Sequence, residues 1–137
     1  MPLLLVRHAS AGDRSEWEGD DKQRPLNKHG RRQAAELVER LAPMRIEAIL
    51  TSPYRRCLET IGPLARARMI EIEVRNELEE ERQGTDGVAL VRSLAGRDVV
   101  ICGHGGLESA VLAAPKWRKA AVFVVGPDLR LVDNLSL

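Results

Sequence analysis

Aromatic side chains are scarce in this chain of 137 residues: Trp17, Trp117, Tyr54 and Phe123 are the whole set. Stacking platforms for successive bases need more than that, so a binder of single-stranded nucleic acid is not expected. An excess of charge of one sign is also missing. Twenty-one Lys and Arg stand against twenty Asp and Glu, a formal net charge of +1, so no global field draws the chain to nucleic acid or to an anionic membrane. Cysteine is limited to Cys57 and Cys102. Two isolated cysteines make neither a disulfide framework nor a zinc knuckle, and Cys102, in an apolar run, reads as a small buried hydrophobe. No apolar stretch approaches the roughly 18 residues of a membrane span. The opening MPLLLVRHAS has too short a run, and no charged start, for a secretory signal. A cytoplasmic protein with no membrane partner is the expectation.

What is present fits one domain over residues 1–137, with 44 % hydrophobic residues to fill a core. Leu3 to Val6 is a continuous apolar run, as a buried parallel strand requires. Gly12 to Pro25 reads as a long polar loop, of the length that is often functional. Asn27 is placed to cap a helix whose face is Ala34, Leu37, Val38 and Leu41, ended by Pro43. Ala48 to Leu50 is a second strand. Tyr54, Cys57, Leu58 and Ile61 mark a second helix, which Gly62-Pro63 is expected to kink or break. Ile70, Ile72 and Val74 alternate with Glu71 and Glu73, a half-exposed strand suited to a sheet edge. Val88, Val91 and Leu94 suggest a third helix ending at Gly96; Val99 to Cys102 is a further buried strand; a short helix through Leu107 and Val111 stops before Pro115. Ala121 to Val125 and Leu129 to Val132, joined by Gly126-Pro127-Asp128, form a hairpin. Strands alternating with helices predict a three-layer α/β/α sandwich with a mainly parallel sheet.

Basic and imidazole groups follow three of these strands. Arg7-His8 comes after LLLV, Arg55-Arg56 one turn after AIL, and Gly103-His104-Gly105-Gly106 after VVIC. In an open α/β sheet the carboxyl ends of the strands form the binding crevice. The pattern therefore gathers two of the three histidines and several arginines at one edge, a site for an anion with several oxygens such as a phosphoryl group. Each piece alone is ordinarily a loop or a turn. Their coincidence at strand ends carries the argument.

In combination these segments resemble the histidine phosphatase superfamily, which includes cofactor-dependent phosphoglycerate mutases, and within it the small SixA-like phosphohistidine phosphatases. LLLVRHA matches the opening motif, with Ala9 where many members have glycine. RPLNKHGRRQA, SPYRRCLET and VVICGHGGLE resemble the later signatures in the same order. GDRSEWEGDDKQRPLNKHG also resembles the SixA-like domain that follows a Nudix domain in some nucleotide hydrolases; no Nudix box occurs here.

The resemblance implies a phosphoglycerate mutase-like fold and a metal-independent phosphatase without cofactor. His8 would attack phosphorus through one ring nitrogen while a backbone carbonyl fixes the other. Arg7, Arg56 and His104 would bind and stabilise the phosphoryl oxygens, with Gly105 leaving room for them. Ser52 is expected to cap the helix carrying Arg56 and to lie at the substrate. The family's acid lands on Glu80 in NELEEERQG, flanked by Glu79 and Glu81, with Asp13 as a weaker candidate. Arg55 and His29 are expected at the surface. Lys119 is placed either at a phosphate or, the plainer choice, at the surface. Trp17 is a rim or packing residue. The expected partner is a phosphorylated protein or a small phosphorylated substrate, and the few residues available for a cap favour the protein. A small-molecule phosphomonoesterase for nucleotides or sugar phosphates is the alternative, and a phosphate-binding module without turnover a third.

Overall fold

A computed structural model describes residues 2–112 and 117–135. The apolar run becomes β1 (Leu3–Arg7) at the centre of a six-stranded sheet. The others are β2 (Ala48–Thr51), β3 (Ile72–Val74), β4 (Val99–Gly103), β5 (Val122–Val125) and β6 (Leu131–Leu135), in the order β3-β2-β4-β1-β5-β6. The first four in that order run parallel; β5 runs antiparallel to β1, and β6 antiparallel to β5. Both faces of the central strands are apolar because both are covered. Leu3, Leu5, Val99, Ile101 and Phe123 pack on one side with Leu90, Val91, Leu107 and Trp117. Leu4, Val6, Val100, Cys102 and Val122 pack on the other with Leu37, Cys57, Ile61 and Leu64. The two-residue period of the strands thus divides one sequence between two cores, and each fully buried leucine or valine contributes about 1.5–3 kcal/mol.

The helices on the second face are α1 (Lys28–Arg40) and α2 (Arg55–Arg68), packed on each other. Those on the first face are α3 (Val88–Ser93) and α4 (Leu107–Val111). Asn27 caps α1 as expected, its side chain accepting from Gly30 N at 2.8 Å. The helix ends at Arg40, ahead of Pro43. The expected break at Gly62-Pro63 does not occur: α2 runs through it. Glycine before proline leaves no Cβ for the ring to clash with, and the buried face of Cys57, Ile61, Leu64 and Ala65 holds the helix across the missing hydrogen bond. Ser52 is not the cap of α2 either. Tyr54 holds that position without a side-chain bond. The polar segment from Gly12 carries two single 3-10 turns, Arg14–Glu16 and Asp21–Gln23, capped by Asp13 and Asp20. β3 is an edge strand that excludes Ile70, and β6 starts at Leu131 because Leu129 takes up a left-handed turn at φ 62°. The expected helix stop before Pro115 lies outside the described residues. No helix among those described is long and apolar enough to cross a membrane.

Topology places the crevice. The chain leaves β1 toward α1 on one face and leaves β4 toward α4 on the other, so the loops after these adjacent strands diverge. That divergence is the switch point at which open sheets bind ligands.

Candidate active site

Register builds the site. Arg7 pairs with Gly103 and Thr51 with Cys102, so His8, His104 and Ser52 all stand one step past the end of the sheet. The His8 and His104 rings lie 5.5 Å apart, centre to centre.

His8 is held by its own loop. Its Nδ1 lies 2.8 Å from Ala9 O. A carbonyl only accepts, so Nδ1 carries the proton and Nε2 keeps its lone pair. Burial, with the charges of His104, Arg56 and Arg7 added, drives the imidazole down to about 3. The ring is therefore neutral at any ordinary pH, with Nε2 free of hydrogen bonds. The loop after it is pinned from three directions. Ala9 N donates to Thr60 Oγ1 at 2.8 Å, Ser10 N donates to Gln33 Oε1 at 2.9 Å, and Asn27 N donates to Ser10 O at 3.0 Å. Ala9 keeps an ordinary negative φ, so its methyl group fits where other chains carry glycine.

Arg7 donates to Trp117 O at 2.6 Å and lies flat against Gly105, where a Cβ would come within 3.0 Å of the guanidinium. Arg56 is fully buried in the first turn of α2, bonded to Asp21 O at 2.9 Å, Asp21 Oδ2 at 3.2 Å and Glu80 Oε2 at 3.3 Å. His104 Nε2 meets Ser52 Oγ at 2.9 Å. Ser52, fully buried, also accepts from Tyr54 N. It therefore orients His104 and is not a residue of the cleft wall. Arg7 Nε, Arg56 Nε and His104 Nδ1 are buried without hydrogen-bond partners. Buried polar atoms left so cost about 1–3 kcal/mol each, and the two arginine donors among them suit an anion with oxygens.

A cleft of about 540 Å³ opens here, lined by Arg7, His8, Asp13, Arg24, Glu80 and Lys119 among others. Of the three adjacent glutamates only Glu80 reaches it; Glu79 pairs with Lys22 and Glu81 with the Tyr54 hydroxyl. Asp13 also lines it, but bonds from the Ser15 backbone and hydroxyl hold its carboxyl below the usual range, which suits a cap better than an acid. Lys119 is both exposed and at the cleft. Arg55 is exposed and paired with Glu59, and His29 is exposed, both as expected. Trp17 is partly exposed beside the cleft, donating to Asp20 O.

Sequence reasoning did not single out Arg24, Asp21 or Gln83. Arg24 is nearly buried, bonded to Asp21 and to the carbonyls of Ala11 and Gly12; the RPL segment was its only signal. Gln83 clamps the loop after β4, donating to the carbonyls of His104 and Gly105 and accepting from His104 N. It sits in a π turn, Gln83–Gly87, that has no periodic signature. Among the described residues no group of three or more His, Cys, Asp or Glu is placed to hold a metal ion.

The family model for the histidine phosphatase superfamily (branch 1) matches residues 3–88. The chain belongs to the histidine phosphatase superfamily. Another comparison finds the 8-oxo-(d)GTP phosphatase of Mycolicibacterium smegmatis, 40 % identical over 110 residues. That match takes in 75 % of this histidine phosphatase chain but only 34 % of the relative, so the chain spans about a third of that protein. Among solved structures, a protein histidine phosphatase SixA complexed with tungstate superimposes with a TM-score of 0.80 at 19 % identity, covering 99 % of this chain and 97 % of that one. A phosphoserine phosphatase from Entamoeba histolytica in complex with 3-phosphoglyceric acid gives 0.74 at 14 % identity, with 99 % and 97 % covered. These likenesses establish the phosphoglycerate mutase-like α/β fold.

Proposed function

We propose that this histidine phosphatase works through a phosphohistidine intermediate on His8, without a metal ion. The observation that carries the reading is the fixed tautomer: Nδ1–H is committed to Ala9 O and the buried ring is neutral, so the Nε2 lone pair is always available. Nε2 attacks phosphorus, the bond to the leaving group breaks, and a P–N bond forms. Arg7, Arg56 and His104 hold the equatorial oxygens and supply the positive charge that a metal supplies elsewhere. Glu80, released from its ion pairs with Arg14 and Arg56 and protonated from solvent, gives that proton to an alkoxide leaving group and takes one back from the water that then cleaves the P–N bond. For phosphate to reach Arg56, Asp21 and Glu80 must give up their bonds to its Nη2.

Two substrate classes remain in view. A phosphorylated protein side chain, phosphohistidine above all, is favoured by the cleft's lack of a cap among the described residues beyond the two 3-10 turns and the Glu79–Gly87 segment. A nucleotide is favoured by the 40 % identity to the 8-oxo-(d)GTP phosphatase. The test is phosphate release from a phosphohistidine-bearing protein and from p-nitrophenyl phosphate, both with EDTA present. Faster release from the protein supports the first class, the reverse ranking the second. His8→Ala should abolish turnover and keep the fold; retained activity would refute the phosphohistidine scheme.

A further inference from the structure

Beyond Arg7 and the shielded Arg56, three more cations surround the cleft: Arg14, Arg24 and Lys119. They are not equally engaged. Arg14 is neutralised by Glu80 at 2.8 Å and Asp21 at 3.6 Å. Arg24 gives Nε to Asp21 and Nη1 to two carbonyls, and its Nη2 carries no hydrogen bond. Lys119 has neither a hydrogen bond nor an ion pair among the described residues. Although Lys119 is exposed, partial desolvation at the cleft and the positive charge of Arg7, Arg24 and Arg56 hold its ammonium below the ordinary lysine value, and Asp13 opposes them.

The backbone keeps this lysine where it is. Ala120, the next residue, is buried at φ 62° in the left-handed region, and its N–H is shared between Arg7 O at 3.1 Å and His8 O at 3.2 Å. A non-glycine residue there is strained and persists only when its surroundings fix it. Those bonds tie the lysine's own turn to the two residues that begin the phosphoryl site. One phosphoryl group uses Arg7, Arg56 and His104; it leaves Lys119 and the free edge of Arg24 unmatched. A cleft of about 540 Å³ is also of the size that takes a whole small molecule.

We propose that Lys119 and Arg24 form a second anion position beside the phosphoryl position at His8, so that the substrate is a small molecule with two adjacent anionic groups, a diphosphate being the simplest. The proposal rests on the phosphatase reading and chooses the small molecule from its two substrate classes. The diphosphate's terminal group sits against His8 Nε2, and the inner group meets the Lys119 ammonium and Arg24 Nη2 through charge-assisted bonds.

The test is calorimetric binding of methylenediphosphonate, whose carbon bridge water cannot cleave, against methylphosphonate, to wild-type protein, Lys119→Met and Arg118→Met. Arg118 is exposed in the same turn and does not line the cleft. Wild type and Arg118→Met should bind the diphosphonate at least about tenfold tighter, roughly 1.4 kcal/mol, and Lys119→Met should lose most of that ratio. Equal affinity for the two probes in wild type, or an undiminished ratio in Lys119→Met, overturns the second position. Turnover of p-nitrophenyl phosphate by the same samples reports the phosphatase reading separately. Turnover without a binding preference overturns the second position alone; neither binding nor turnover overturns both.

Discussion

Gly30→Ala links the packing of this fold to its chemistry in one methyl group. Gly30 lies in the first turn of α1, and an added Cβ would stand 1.9 Å from Ser10 O, 2.9 Å from Ser10 C and 3.1 Å from Ser10 N. All three are backbone atoms, so no side chain can swing away. To restore ordinary contact, helix and loop must separate by more than about 1 Å. Overpacking of this kind costs about 1–3 kcal/mol; a clash with main chain falls at the upper end. Alanine's better helix propensity returns about 1 kcal/mol. The net loss is about 1–2 kcal/mol, or a fall in Tm of about 3–7 °C for a chain of this length. The larger effect should be on turnover. Ser10 is two residues from His8, and a displacement of about 1 Å at a reacting group can cost about 100-fold. Thermal unfolding by circular dichroism and kcat/KM on p-nitrophenyl phosphate measure the two. Gly84→Ala is the control, since nothing lies within 4 Å of the Cβ it would add; both quantities should stay near wild type. If Gly30→Ala kept wild-type Tm and kcat/KM, the claim that α1 sets the position of the His8 loop would be wrong.

Further expectations concern the groups around that loop. Ser52→Ala removes the hydroxyl at His104 Nε2 and should lower kcat about tenfold with little change in KM, as expected for a positioning residue; a pure KM effect would contradict this. Gln83→Ala strips partners from His104 N and from two carbonyls, and urea unfolding should show a loss of about 2–3 kcal/mol. Glu80→Gln should slow aryl or alkyl phosphate hydrolysis far more than phosphohistidine hydrolysis; equal slowing would remove Glu80 from the acid role. His8 also predicts a pH dependence of stability. Its pKa is lowered on folding from 6.5 to about 3, so the unfolded chain binds more protons between those values and stability falls as pH drops through 6.5. Relative to His8→Gln, wild type should lose about 1.4 kcal/mol between pH 7.5 and 5.5, measured by denaturant titration at both pH values.

The local code of the chain was enough for a large part of this. Period-2 and unbroken apolar runs marked the strands, Asn27 marked a helix start, and the groups placed after LLLV, AIL and VVIC predicted which edge of the sheet would carry charge. The break expected at Gly62-Pro63 does not occur, because a breaker acts on an isolated helix whereas α2 is held by its buried face. Ser52 is not the helix cap for a related reason: its spacing to the helix is visible in the sequence, but its contact with His104 depends on the β2–β4 register. The choice of Glu80 among three neighbouring glutamates, the carboxylates over Arg56, the Gln83 clamp and the tether of Lys119 through Ala120 share that character. Each joins residues far apart in the chain through side chains whose partners exist only after the sheet has closed. Sequence determined which residues stand at the ends of the strands, because strand formation and hydrophobic alternation are short-range. Tertiary structure alone decided which of them touch, because a hydrogen bond at about 3 Å is set by packing and register, not by distance along the chain.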